Sequence, residues 1–398
     1  MLQKVAVTGM GIVSAIGNNV AENYTNLIAG NHGLTDIANL NTIHKGSIKV
    51  GEIKNTDKEL KQELSIALKK PISRTSLLGI KALKEALTQA NIKDINQIET
   101  AFISSSSVGG MDKTEHFYQT YFTDKEAQNY ITTHDIGDTS HKIADYFGLK
   151  GMVTAISTAC SSSANAIMLG VRLIQTNQAK RVIVGGTDAL TKFTINGFNT
   201  LMILTDSYNT PFDENRKGLN LGEAAAYLIL ESEDTIQKTG NKPLAYISGY
   251  GNANDAYHQT ASSEEGEGAY LAMKKAFEIS GLKPQEIDYI NTHGTATENN
   301  DLSEGKALER IYNGISVPHF SSTKPFTGHT LAAAAAIEAV FSILALQNGV
   351  VYPNLNFTIP MKELSIIPQT VQLKKNINHV LSNSFGFGGN CSSLIFSK

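Results

Sequence analysis

A chain of 398 residues that is 41% hydrophobic and 18% charged carries enough apolar side chains for a large globular core, which sets aside disordered and low-complexity classes. Its 34 basic and 37 acidic residues leave a formal net charge of -3, so nothing global favours nucleic acid as a partner. Two cysteines cannot form a disulfide framework, and the opening MLQKVAVTGMGIVSAIG lacks a signal peptide's long apolar run and cleavage site, so a reducing, cytoplasmic setting is expected.

In chain order, VAVTGMG (5–11) reads as a strand, SLLGIKALKEALTQA (76–90) as a helix and AFISSSS (101–107) as a strand. MVTAIS (152–157) is a strand that turns into a helix with Ile167, Gly170, Val171 and Ile174 on one face. RVIVGG (181–186) and AAAYLILE (224–231) add two more strands. The order then recurs as AYISGYG (245–251), GAYLAMKKAFEISG (268–281), IDYINTHG (287–294), SSTKPFTGHTLAAAAAIEAVFSILALQ (321–347) and CSSLIFSK (391–398). The pattern predicts two copies of one α/β unit, 1–240 and 241–398, joined at the polar, turn-rich EDTIQKTGNKP (233–243). Met111 to Tyr146 has no counterpart in the second half and reads as an inserted cap or dimer interface. The longest apolar stretch, Leu331 to Leu346, is too short to cross a bilayer and contains Glu338, so a buried helix is expected and no membrane span.

Cys160, in TACSSSANAIMLG, falls at the start of the helix that follows MVTAIS. The positive end of the helix dipole is expected to lower the usual thiol pKa of about 8.5 by roughly 1.5, which makes a nucleophile without an adjacent base. Cys391, in a terminal strand, reads as a small buried hydrophobe. His293 in INTHGTATENND and His329 in KPFTGHTLAAAAA each stand at a strand end, where ligands of open α/β sheets bind. A Cys/His/His zinc site is the competing reading, but no pair has close ligand spacing, so no metal is expected. NSFGFGGNCSS places Gly386, Gly388 and Gly389 around Phe385 and Phe387, a loop suited to shaping an apolar pocket and offering a backbone N–H to an oxyanion.

Taken together, TACSSS, NTHGTAT, SSTKPFTGH and SNSFGFGGN resemble the elongating β-ketoacyl-acyl carrier protein synthases of the thiolase superfamily. The resemblance spans the chain and includes its opening and TPFDENRKGLNLGEAAAYLILE (210–231). It implies a five-layered αβαβα sandwich of two similar halves. It implies Cys160 as the acyl-carrying nucleophile, with His293 and His329 as donors to the malonyl thioester carbonyl during loss of carbon dioxide. The backbone N–H groups of Cys160 and Phe387 would form an oxyanion hole. Lys324 and Glu304 match a supporting charged pair, Thr295 and Thr297 match contacts to the pantetheine arm, and Phe387 matches a ring that gates the acyl pocket. No cofactor is implied, because substrates ride on the phosphopantetheine of an acyl carrier protein. That acidic partner is expected to dock near Lys69, Lys70 and Arg74. A homodimer is expected, or a heterodimer with a chain-length factor. The alternatives are a thiolase, which would need a second cysteine ahead of the glycine loop, and a non-condensing chain-length-factor-like partner, which would lack Cys160. After His293 the chain reads ATENND, and after His329 LAAAAAIEA, both departures from the common family pattern that bear on substrate identity.

Overall fold

The computed structural model describes residues 3–398. Its first half contributes strands β1 (Val5–Val13), β2 (Thr100–Ser105), β3 (Val153–Ile156), β4 (Arg181–Asp188) and β5 (Ala224–Ser232). The second half contributes β6 (Ala245–Asn254), β7 (Tyr289–Asn291), β8 (His319–Ser321), β9 (His379–Phe385) and β10 (Asn390–Ser397). They form one sheet in the order β8-β7-β9-β10-β6-β1-β5-β4-β2-β3. Read outward from the β6–β1 seam, each half runs through its first, fifth, fourth, second and third strand. The seam itself is short, pairing Val5 with Ile247, Ala6 with Tyr246 and Val7 with Ala245.

Helices fill matching slots in the two halves: α1 (Arg74–Gln89), α2 (Ile136–Tyr146) and α3 (Ser162–Gln175) in the first, α4 (Glu267–Ser280), α5 (Glu298–Ile311) and α6 (Ala334–Asn348) in the second. The strands' two-residue period sorts them into layers. On β5, Ala225, Tyr227 and Ile229 pack with α1 and α2, whereas Ala224, Ala226, Leu228 and Leu230 face α3 and α6. In the second half, Leu381 and Ile395 pack outward on α4 and α5, while Val380, Leu394 and Phe396 join the same central cluster as α3 and α6. The result is an αβαβα sandwich with α3 and α6 as its middle layer. Helix α6 is covered on every side and buried from Ala334 to Leu346, and Glu338 is the one charged residue in that run. Leu331–Asn348 is the one stretch among the described residues with the length and apolarity to cross a membrane, and 89% of it is buried in this middle layer.

Two local expectations change. The joint at 233–243 holds a short helix, Glu233–Thr239, because the Ser232 hydroxyl caps its N-terminus through Thr235 N–H and Gly240 ends it at φ 71°. Of the segment 111–146, the last part is α2, which occupies the slot that α5 fills in the second half, so only the stretch before it is extra.

Candidate active site

Equivalent strands present the nucleophile and one histidine: β3 leads to Cys160 and α3, and β8 leads to His329 and α6. The two helix starts are tied, since Ala336 N–H donates to Ser163 Oγ at 2.9 Å. His293 follows β7, and the glycine loop joins β9 to β10. Ala159 has φ 52°, a left-handed conformation that costs a non-glycine residue about 1–2 kcal/mol and turns Cys160 into the site. Cys160, His293 and His329 are all buried, and one ligating atom from each lies within 4.8 Å of the others. The histidine rings are 5.4 Å apart and nearly perpendicular.

Lys324 organises this cluster. Its ammonium donates to His293 Nδ1 at 3.2 Å, to the His293 carbonyl at 2.6 Å and to Glu338 Oε1 at 2.6 Å, so all three N–H bonds are used. The expected pairing of Lys324 with Glu304 is therefore wrong. The partner is Glu338, which the first turns of α6 carry to Lys324, and Ser384 Oγ donates to its other oxygen. Breaking so buried a pair costs about 3–5 kcal/mol. Glu304 accepts instead the backbone N–H groups of His293 and Gly294 and the Asn383 amide, clamping the His293 loop. Burial raises its carboxyl to about 7 against those bonds.

An ammonium has no acceptor, so His293 Nδ1 must be unprotonated and Nε2 must carry the proton. The Leu331 N–H does the same at 3.2 Å for His329 Nδ1. Burial first, and the Lys324 charge second, hold both rings well below the ordinary histidine range, so both are neutral Nε2–H donors. A divalent ion bound here would face the Lys324 ammonium already in contact with His293. Cys160 departs from expectation: burial pushes its thiol up to about 11, although Lys324 and the N–H groups of Phe387 and Cys160 itself favour the thiolate. The helix begins two residues later, and the dipole does not offset loss of water.

A cavity of about 350 Å³ opens onto Cys160, His293 and His329. Gly386 lies against the nucleophile loop, where a Cβ would sit 2.8 Å from the Thr158 carbonyl, and Gly388 and Gly389 adopt φ 80° and 79°. Phe385 is buried and meets the His293 ring edge-on, so it is a wall. Phe387 is half-buried and stacks on Phe198 at 5.8 Å. Thr295 and Thr297 both line the cavity, with their hydroxyls 2.8 Å apart.

Sequence reasoning missed Phe198 and the apolar rim of Leu201, Met202 and Ile203, which come from the long β4–β5 connection and carry no motif. Glu338 had a signal, as the lone charge in an apolar run. The docking patch loses Arg74, which is buried in ion pairs with Glu223 and Asp57. Lys69 and Lys70 are exposed, but neither lines the cavity.

Residues 2–235 match the beta-ketoacyl synthase N-terminal domain and residues 244–358 its C-terminal domain. The chain is 34% identical to 3-oxoacyl-[acyl-carrier-protein] synthase 2 of Staphylococcus aureus strain COL, across 100% of this chain and 98% of that protein. It is 31% identical to the synthase of the same name from Vibrio cholerae serotype O1, across 100% and 99%. Among solved structures it is similar to the ishigamide ketosynthase/chain length factor, with a TM-score of 0.93, 26% identity and full coverage of both chains. It is also similar to a ketosynthase from Xenorhabdus doucetiae in complex with its chain length factor, with a TM-score of 0.84 and 30% identity over 99% of this chain and 98% of that one.

Proposed function

The chain belongs to the beta-ketoacyl synthase family, and we propose that it elongates acyl chains by decarboxylative condensation, with Cys160 as the acyl carrier and His293 and His329 as the enolate donors. The observation that carries this reading is the pair of neutral imidazoles, each with Nδ1 occupied, which leaves two Nε2–H donors beside one thiol.

In the first step the Cys160 sulfur bonds to the acyl carbon of a pantetheine thioester. The old carbon–sulfur bond breaks, and the thiol proton leaves with the pantetheine sulfur. A thiol held near 11 gives up that proton as the bond forms, not beforehand. Malonyl thioester then loses carbon dioxide, and the electron pair moves to its carbonyl oxygen, where the two Nε2–H donors stabilise the enolate. One such donor is worth about 3 kcal/mol. The enolate carbon attacks the acyl-cysteine, whose oxyanion meets the N–H groups of Cys160 and Phe387, and collapse expels the Cys160 sulfur as a thiolate, which takes a proton from solvent to restore the thiol.

Substrates arrive on an acyl carrier protein, so the reading needs no resident cofactor, and the cytoplasm is the compartment it fits. Two copies are proposed to pair through β3, which is half-buried and bonded only to β2, leaving its outer edge open. A second reading, the ketosynthase half of a heterodimer with a chain-length factor, is favoured by the likeness to the two ketosynthase/chain length factor structures. Purified chain given malonyl-carrier and a panel of acyl-carrier primers should yield 3-oxoacyl-carrier products two carbons longer, read by intact mass. Product from the chain alone, eluting at twice its own mass, supports the homodimer. Product only after a second subunit is added supports the heterodimer, and none in either case overturns condensation.

Phe387 stands on a loop that two left-handed glycines leave free to turn, and its ring rests on Phe198 near Cys160. Phe387→Ala is expected to uncouple loading order, so that malonyl units lose carbon dioxide without an acyl group on Cys160, at little cost in melting temperature. A stability loss of about 3–5 kcal/mol with loading order unchanged would make the ring a core anchor.

A further inference from the structure

Asp188 ends β4 with no exposed surface, and no cation contacts it. Its carboxylate takes the Ser106 hydroxyl at 2.5 Å, Ser107 N–H at 3.0 Å and Ala332 N–H at 2.8 Å. The first two donors follow β2 in the first half, and the third lies in the second half, three residues after His329. A buried carboxylate paired only with neutral donors is costly. The donor in the second half shows what it holds. Leu331 sits between His329 and Ala332 at φ 53°, a left-handed conformation that a leucine leaves when released. In that conformation its N–H reaches His329 Nδ1 at 3.2 Å. The turn has other ties: ahead of Leu331, His329 N–H donates to the Asn220 carbonyl and Gly222 N–H to the His329 carbonyl, and beyond it Ala333 N–H donates to the Thr330 carbonyl and the Ser105 hydroxyl to the Ala332 carbonyl, while Asp188 alone takes the Ala332 N–H inside the turn.

We infer that Asp188 is a positioning residue for His329: by gripping Ala332 N–H it holds Leu331 in the left-handed turn that presents an N–H to His329 Nδ1, and so keeps the ring's only proton on Nε2, toward the substrate carbonyl. Glu304 does the corresponding work on the His293 backbone, while Lys324 sets that ring's tautomer. An asparagine at 188 keeps the shape but turns one acceptor into an N–H facing Ser107 or Ala332, which are themselves donors.

This inference rests on the reading of His329 as an enolate donor, and the experiment separates the two. Decarboxylation of malonyl-carrier and acylation of Cys160 are measured for the intact protein, Asp188→Asn, His329→Ala and the double variant, with nitrogen-15 NMR of the His329 ring. In Asp188→Asn, decarboxylation is expected to fall about tenfold or more, the scale of a misplaced group, with acylation changed less than about twofold. The His329 ring should then show Nδ1–H as well as Nε2–H forms, and the double variant should be no slower than His329→Ala. Should Asp188→Asn not fold, Asp188→Glu, which displaces the carboxylate by one methylene, is expected to give the same split. Equal loss in both steps, an unchanged tautomer, or a further loss on top of His329→Ala would overturn the inference. If His329→Ala itself decarboxylates at the normal rate, the donor reading fails instead.

Discussion

Cys160→Ala should abolish condensation while leaving the protein folded. The sulfur is buried and supplies the only bond through which the acyl group is held during attack, so no neighbouring group replaces it. Removing one buried sulfur atom costs on the order of 1 kcal/mol, small beside the stability of a large domain. Intact mass after incubation with acyl-carrier should show an adduct on the wild-type chain and none on the variant. An adduct that survives Cys160→Ala would place the chemistry on Cys391, which lines the same cavity but has its thiol pushed up to about 12 by burial. The pH dependence has a definite sign. A thiol raised to about 11 is protonated at neutral pH, so its alkylation by iodoacetamide should climb steadily with pH toward that value. A rate already level at pH 7 would mean that the helix terminus does supply a ready thiolate.

His293→Ala and His329→Ala should each slow malonyl decarboxylation about a hundredfold or more, the scale of losing one oxyanion donor, and slow acyl transfer to Cys160 much less. The asymmetry follows from where the donors aim. Both Nδ1 atoms are occupied on the protein side, by Lys324 and by Leu331 N–H, so only the Nε2–H groups are free for substrate. His293→Ala carries an extra consequence, because the ring is also a partner of Lys324, whose ammonium would keep Glu338 and the residue-293 carbonyl but lose its third acceptor. The loss in His293→Ala is therefore expected to be at least as large as in His329→Ala. Wild-type decarboxylation in either variant, measured as release of carbon dioxide from malonyl-carrier, would remove that histidine from the mechanism.

Much of the fold and the site could be read along the chain because the signals are local. Short continuous apolar runs set buried strands such as Ala224–Ser232, and the recurrence of strands and helices announced two similar halves before any contact was known. Cys160, His293 and His329 stood out because each follows a strand and neighbours small residues that let a turn form. What depends on packing could not be read that way. Lys324 pairs with Glu338 and not Glu304 because α6 starts beside it, a choice made by helix placement between the two halves of the sheet. Arg74 looked like a surface cation, yet Glu223, 149 residues away, draws it inside. The thiol of Cys160 was expected to ionise easily from its helix alone, but the tertiary structure removes water from it, and desolvation outweighs the dipole. Sequence by itself determined which chemical groups this protein has and the strand ends that carry them. Only the tertiary structure decided which of those groups are charged, which ring nitrogens bear protons and which carboxylate serves which histidine, because those outcomes depend on burial and on partners distant in sequence.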